Sequence, residues 1–193
     1  MDQIRTFIAV LISPELKSRI GAIQQSFKAL PCDVKWVVEE NFHITLRFLG
    51  NVGEGKMEAV CAAAQEAAKT GPSRLEMAFS GAGAFPSVRR PQVIWVGARK
   101  GEEEMAELAR RLDDALAPLG FEREKKRFNA HLTIGRVRSP RGLESLAEAI
   151  QSAEAEDLGS EMIESIAVMK SDLRPSGPEY SVVKEIELGV VEG

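Results

Sequence analysis

The segments FHITLRF (residues 42–48) and AHLTIGR (residues 130–136) both read His-apolar-Thr-apolar, and they hold the only two histidines of the chain. In an extended strand, residues two apart share a face. His43 and Thr45 therefore point one way while Ile44 and Leu46 point the other, and His131 and Thr133 stand in the same relation to Leu132 and Ile134. Each segment is a polar pair backed by a core-facing apolar pair. With four threonines in the chain (Thr6, Thr45, Thr70 and Thr133), a histidine meets one two places downstream by chance about one time in fifty. That both do so marks the pattern as a constraint on the fold and not an accident of composition.

The surrounding elements follow from periodicity and punctuation. Residues 4–12 read as a buried strand, and Ser13-Pro14-Glu15 opens a helix with Ser as N-cap and Pro at the first helical position. That helix spans residues 14–30, with Leu16, Ile20, Ile23, Phe27 and Leu30 on one side. Strands are expected at 34–38 and 42–49, the second closed by Gly50-Asn51, and a helix at 55–69 ends at Gly71-Pro72. Strands at 75–80 and 93–96 flank a Gly- and Pro-rich loop, GAGAFPSVRRP. A helix at 102–119 precedes the strand at 131–137, and a weaker helix at 142–152 leads to strands at 163–170 and 180–188. Several neighbouring strands lack a helix between them, which favours antiparallel pairing and an α+β fold over a doubly wound parallel sheet.

The two motifs lie 88 residues apart, close to half of the 193-residue chain. The expected architecture is a single domain, residues 1–193, built as two similar lobes. Antiparallel sheets line a central cleft, helices pack outside, and each lobe contributes one motif. Asp2 and Pro14 argue against a signal peptide, and the apolar run from Phe7 to Ile12 is too short for a membrane span. Cys32 and Cys61 are too far apart for a CxxC pair and are expected as thiols in a cytoplasmic setting.

A net charge of −4 excludes a global field that attracts nucleic acid. Any such affinity is local, and residues 121–141 carry seven Lys or Arg against two Glu. For the histidines, a metal site is disfavoured because neither motif has a Cys or carboxylate on the same strand face. A Thr nucleophile lacks an orienting carboxylate. Paired imidazoles facing each other across about 6–9 Å, one as base and one as acid, with two hydroxyls for the equatorial oxygens, suit metal-free in-line phosphoryl displacement. Arg47 shares the His43 face by simple alternation. Arg136 has the wrong parity, but Gly135 beside it permits a bulge that re-aims the side chain.

The motifs HITL and HLTI, with VKWVVEENFHITLRFLG, GAGAFPSVRRPQVIWVG, FNAHLTIGRVR and SDLRPSGPEYSVV around them, resemble the RNA 2′,3′-cyclic phosphodiesterase branch, also called 2′-5′ RNA ligase, of the two-histidine phosphoesterase superfamily. The resemblance implies hydrolysis of RNA 2′,3′-cyclic phosphate ends, tRNA fragments among them, to 2′-phosphomonoesters by a monomer without metal or cofactor. It also implies a reversible 2′-5′ ligation. By position, His131 is the base and His43 the acid, Thr45, Thr133 and Arg136 hold the phosphate, and the Phe48 ring takes the terminal base. Arg47 adds positive charge, while Trp36 and Phe85 are read as core or loop anchors. The alternatives are action on cyclic ADP-ribose phosphates or 2′-5′ oligonucleotides, and an RNA-end or nucleotide-binding module without turnover.

Overall fold

A computed structural model of the chain describes residues 2–175 and 177–189. In chain order the elements are β1 (Gln3–Leu11), α1 (Pro14–Lys28), β2 (Val34–Trp36), β3 (His43–Gly53), α2 (Met57–Lys69), β4 (Leu75–Ser87), β5 (Arg90–Lys100), α3 (Glu102–Leu116), β6 (His131–Val137), α4 (Leu143–Ser152), β7 (Asp157–Ile163), β8 (Ser165–Arg174) and β9 (Gly177–Glu187). The fold is α+β. Its strands form one antiparallel sheet in the order β7-β4-β5-β6-β3-β1-β8-β9, with β2 added to β6.

The sheet is continuous because Ile44 of β3 pairs with Leu132 of β6, the one residue pair that joins the two motif strands among the described residues. From that pair outward, β6-β5-β4-β7 run to one side and β3-β1-β8-β9 to the other. Helices cover one face: α1 and α4 lie against β7, β4 and β5, while α2 and α3 pack on each other and against β3, β8 and β9. Among them lies the main core, including Ile8, Ile44, Ile94, Leu132, Phe27 and Leu112, each 1% exposed or less. Burying one such side chain contributes roughly 1.5–3 kcal/mol, and this is the force that settles which face of each motif turns inward. Helix α1 starts as its cap predicts, with the Ser13 hydroxyl accepting the Leu16 N–H. None of the described helices is long and apolar enough to cross a membrane.

Three elements depart from the expectation. The segment GAGAFPSVRRP is a long hairpin, since β4 and β5 pair from Ala78–Lys100 out to Ser87–Arg90. Its glycines serve packing: a Cβ at Gly83 would lie 2.3 Å from the Trp95 indole, and one at Gly97 would lie 2.9 Å from it. Strand β3 continues through Gly50-Asn51 because the start of β1 supplies a partner, pairing Gln3 with Gly53 and Ile4 with Val52. Strand β7, DLGSEMI, has little intrinsic strand preference and forms because β4 offers an edge, from Leu75–Ile163 to Ser80–Asp157.

Two bulges position the site. Between Ile8–Arg47 and Ala9–Thr45 the register of β1 and β3 skips Leu46, and between Ile94–Gly135 and Trp95–Thr133 the register of β5 and β6 skips Ile134. An inserted residue reverses the facing of everything beyond it. Arg47, opposite the fully buried Ile8, therefore turns to the helix side, and Phe48, opposite Phe7, turns to the open face. On β6 the step brings Arg136 onto the face of His131 and Thr133. Gly135 is left beneath Trp36, where a Cβ would come within 2.9 Å of the ring.

The second bulge is pinned from below. Gln24 of α1 is 2% exposed, and its Nε2 donates to the carbonyls of Ile134 and Val37, both at 2.7 Å. In Gln24→Leu the Val37 carbonyl loses its side-chain donor inside the fold. We expect a stability loss of about 1–3 kcal/mol, read as a lower Tm by thermal denaturation, whereas an unchanged Tm would show that the bulge holds without the amide.

Candidate active site

The open face of the sheet carries the four motif side chains. The Ile44–Leu132 pair sets a register that puts His43 across from Thr133 and Thr45 across from His131, so the two histidines are diagonal neighbours, about 7–8 Å apart at that strand spacing. All four residues are half-buried. The rings sense each other electrically, since the charge of His131 is one of the influences that lower the His43 pKa.

Both imidazoles are oriented in the same way. His43 Nδ1 lies 2.7 Å from the Asn41 carbonyl and His131 Nδ1 lies 2.8 Å from the Asn129 carbonyl. A carbonyl can only accept, so each Nδ1 carries the hydrogen and each neutral ring presents its Nε2 lone pair. The Thr45 hydroxyl lies 3.0 Å from His43 Nε2. His131 Nε2 has no protein partner among the described residues. The sequence does contain Asn two places before each histidine, but the contact is through the backbone, so the residue type gives no signal that spacing alone would reveal.

Burial is the main reason that both histidines titrate below the ordinary imidazole range. For His43, desolvation outweighs the Asn41 hydrogen bond, and Lys17 and His131 add to the depression. For His131, desolvation again outweighs the Asn129 hydrogen bond, and Arg136 adds to it. The desolvation comes from aromatic walls. Phe7 and Tyr180 flank His43 with ring centroids 5.0 and 5.3 Å away, and Phe85 and Trp95 flank His131 at 5.0 and 6.5 Å.

These four aromatics are the site residues that sequence reasoning missed. Phe85 packs against His131 on the open face and is not a core or loop anchor, because the hairpin register opposes it to Val93. Trp36 does pack against the core. Phe7, Ala9, Ala167 and Met169 form a small second cluster on the open face with Tyr180 against it. Tyr180 is the only tyrosine of the chain, and burial raises its pKa while Arg136 and Arg5 oppose the rise. Phe48 lies 6.1 Å from Phe7 and is 63% exposed.

Arg136 is exposed beside this group. Arg47 is not part of it, which corrects the expectation from alternation. Turned inward by the Leu46 bulge, its Nε lies 2.7 Å from Asp113 Oδ1 of α3 and its Nη1 3.6 Å from Glu124 Oε2. It also donates to the Glu122 carbonyl. Its side chain is only 11% exposed, so it clamps β3 to α3 and to the segment leading into His131. Among the described residues no three His, Cys, Asp or Glu side chains gather as a cation site.

A half-buried face with two oriented imidazoles, two hydroxyls and one free guanidinium is the equipment of a phosphoesterase. The LigT-like phosphoesterase family model matches the chain twice, at residues 10–95 and 96–180, and the chain belongs to that family. It is 34% identical to an RNA 2′,3′-cyclic phosphodiesterase of Methanothermobacter thermautotrophicus, over 96% of this chain and all of that one. It is also 33% identical to one of Archaeoglobus fulgidus, over 95% and 99% of the two chains. The crystal structure of Escherichia coli LigT with 3′-AMP superposes with a TM-score of 0.76 at 21% identity, covering 97% of this chain and 99% of that one, which is a likeness of fold.

Two outcomes follow. Asp113→Asn removes the nearer of the two carboxylates on the mostly buried Arg47 and leaves only Glu124 at 3.6 Å, and we expect a loss of about 1–3 kcal/mol, below the range for fully buried pairs because Glu124 and some solvent still reach it. Thermal denaturation would read the loss, and an unchanged KM would separate the clamp from a substrate contact. The free protein's histidines hold a proton only at lower pH than a free imidazole, so an NMR titration should place both midpoints below about 6.5. Arg136→Gln should move the His131 midpoint upward; midpoints above 7 in the wild-type protein would contradict the burial argument.

Proposed function

We propose that the chain hydrolyses RNA 2′,3′-cyclic phosphate ends to 2′-phosphomonoesters without a metal. The observation that carries this reading is the pair of diagonal imidazoles with identical backbone anchors through Nδ1, each keeping Nε2 as the nitrogen left for proton transfer. The names of the curated relatives supply the substrate class, and two imidazoles can supply both the base and the acid that a metal-free route needs. The four strands on either side of the Ile44–Leu132 pair act as two lobes that close over one cleft.

His131 is the base. Its unengaged Nε2 takes a proton from water as the water oxygen bonds to phosphorus, and the P–O3′ bond breaks. His43 donates its Nε2 proton to the departing O3′, leaving the phosphate on O2′. Both rings lean neutral in the free protein, so His43 acquires its catalytic proton when the anionic diester enters, an opposite charge that raises its pKa. Thr45, Thr133 and Arg136 hold the non-bridging oxygens. Phe48, exposed beside Phe7, offers its face to the terminal base, a contact that tolerates any base identity. With a 5′-hydroxyl in place of water, the same groups run 2′-5′ ligation and its reversal.

Incubation of an oligonucleotide ending in a 2′,3′-cyclic phosphate, with chelator present, tests this directly. We expect a 2′-phosphate product at an undiminished rate in chelator. His43→Ala and His131→Ala should each lose about 10²–10⁴-fold in kcat. The profile of kcat/KM against pH should be a bell centred below about 6.5, since the depressed base widens its acid limb and the depressed acid lowers its alkaline limb. Full turnover by the double histidine variant, or loss of turnover on chelation, would overturn the reading.

A further inference from the structure

Lys35 and Arg136 sit directly opposite each other on β2 and β6, and both are exposed. Like charges at such a position destabilise the strand pair. An anion lying over the pair offsets that repulsion. The same end of the sheet carries more free charge. Arg138 follows β6, and Arg89 and Arg90 lie at the tip of the β4–β5 hairpin, all exposed. Arg90 and Arg138, with Gln92, Ser139 and Pro140, line a concavity of about 270 Å³ at the ends of β5 and β6.

None of these five cations has a carboxylate within ion-pair distance among the described residues, whereas Arg19, Arg47, Arg110 and Arg123 each do. Within the basic run of residues 121–141, Arg123 is paired with Asp114, whereas Arg136 on β6 and Arg138 just beyond it have no carboxylate partner among the described residues, and Arg138 lies beside Arg90 in the concavity.

We propose that this edge, from Arg136 and Lys35 through Arg138 to Arg90 and the concavity, binds the phosphodiester backbone of single-stranded RNA running 5′ from the end held at the histidines. The inference rests on the function proposed above and adds to it that the body of the strand, and not only its terminal nucleotide, is recognised. It also gives a chain of net charge −4 a local means of engaging RNA: five exposed cations without carboxylate partners gather at one end of the sheet.

The test compares a 2′,3′-cyclic mononucleotide with an octanucleotide carrying the same end, for the wild type, R90Q/R138Q and a control, R19Q/R110Q, with the same change of charge at paired sites. We expect a lower KM for the octanucleotide in the wild type and the control. R90Q/R138Q should lose that advantage and keep wild-type kinetics on the mononucleotide. Loss of two single-strand phosphate contacts lowers the salt slope by about 1.4, so between 50 and 200 mM salt the wild type should weaken about 7-fold more than the double variant. Equal KM for the two substrates in the wild type, an intact length advantage in R90Q/R138Q, or an equal loss in the control would overturn the proposal. Fluorescence anisotropy of a labelled octanucleotide with a 3′-phosphate reads the same contacts without turnover. If no cyclic substrate is hydrolysed, the proposed function fails, and weaker octanucleotide binding by R90Q/R138Q than by the control still decides this inference.

Discussion

A register skip just past the histidine–threonine pair in each motif strand governs what the open face of this sheet can do. Leu46 and Ile134 stand without a partner in their ladders, and beyond each of them the side chains exchange faces. Phe48 and Arg136, each five residues past its histidine, arrive on the open face at equivalent places. Their neighbours Arg47 and Gly135 go to the helix side, where one finds Asp113 and the other leaves room for Trp36. Had strict alternation continued, Arg136 would be driven toward an apolar core with no counter-ion, and Phe48 would leave the open face. The bulge is thus a geometric device that sorts a ring and a charge into the cleft, and the buried Gln24 amide holds one of the two in place.

The chemistry of the site depends equally on its apolar surroundings. Phe7, Tyr180, Phe85 and Trp95 remove water from the two imidazoles, which lowers their pKa values and strengthens every charge interaction made between them. The backbone carbonyls of Asn41 and Asn129 keep the hydrogen on Nδ1, so orientation and tautomer are set before any substrate enters. Arg47, which has structural work, is paired with Asp113 and Glu124, while Arg136 on the open face and Arg138 just beyond β6 have no carboxylate within ion-pair distance among the described residues.

Much of this was legible in the chain before any coordinates. The His-apolar-Thr-apolar pattern located both strands, their inward and outward faces and the four central side chains, because period-two alternation over three residues needs no tertiary information. Capping at Ser13-Pro14 and the apolar stripe Leu16, Ile20, Ile23 and Phe27 did the same for α1. The strand β7 and the length of the β4–β5 hairpin were not legible, since DLGSEMI becomes extended by pairing with the distant β4 and the Gly- and Pro-rich ends of β4 and β5 become extended by pairing with each other.

What the sequence by itself determined is therefore the chemistry that local periodicity carries: an α+β chain with two histidine-threonine pairs on half-buried strands. Only the tertiary structure decided which residues join them. Parity along a strand is reset by a bulge, and a bulge is a relation between two strands. Arg47 was assigned to the cleft by alternation and lost to Asp113 for that reason, while Tyr180, Phe7, Phe85 and Trp95 entered it from strands that no spacing along the chain connects to the histidines.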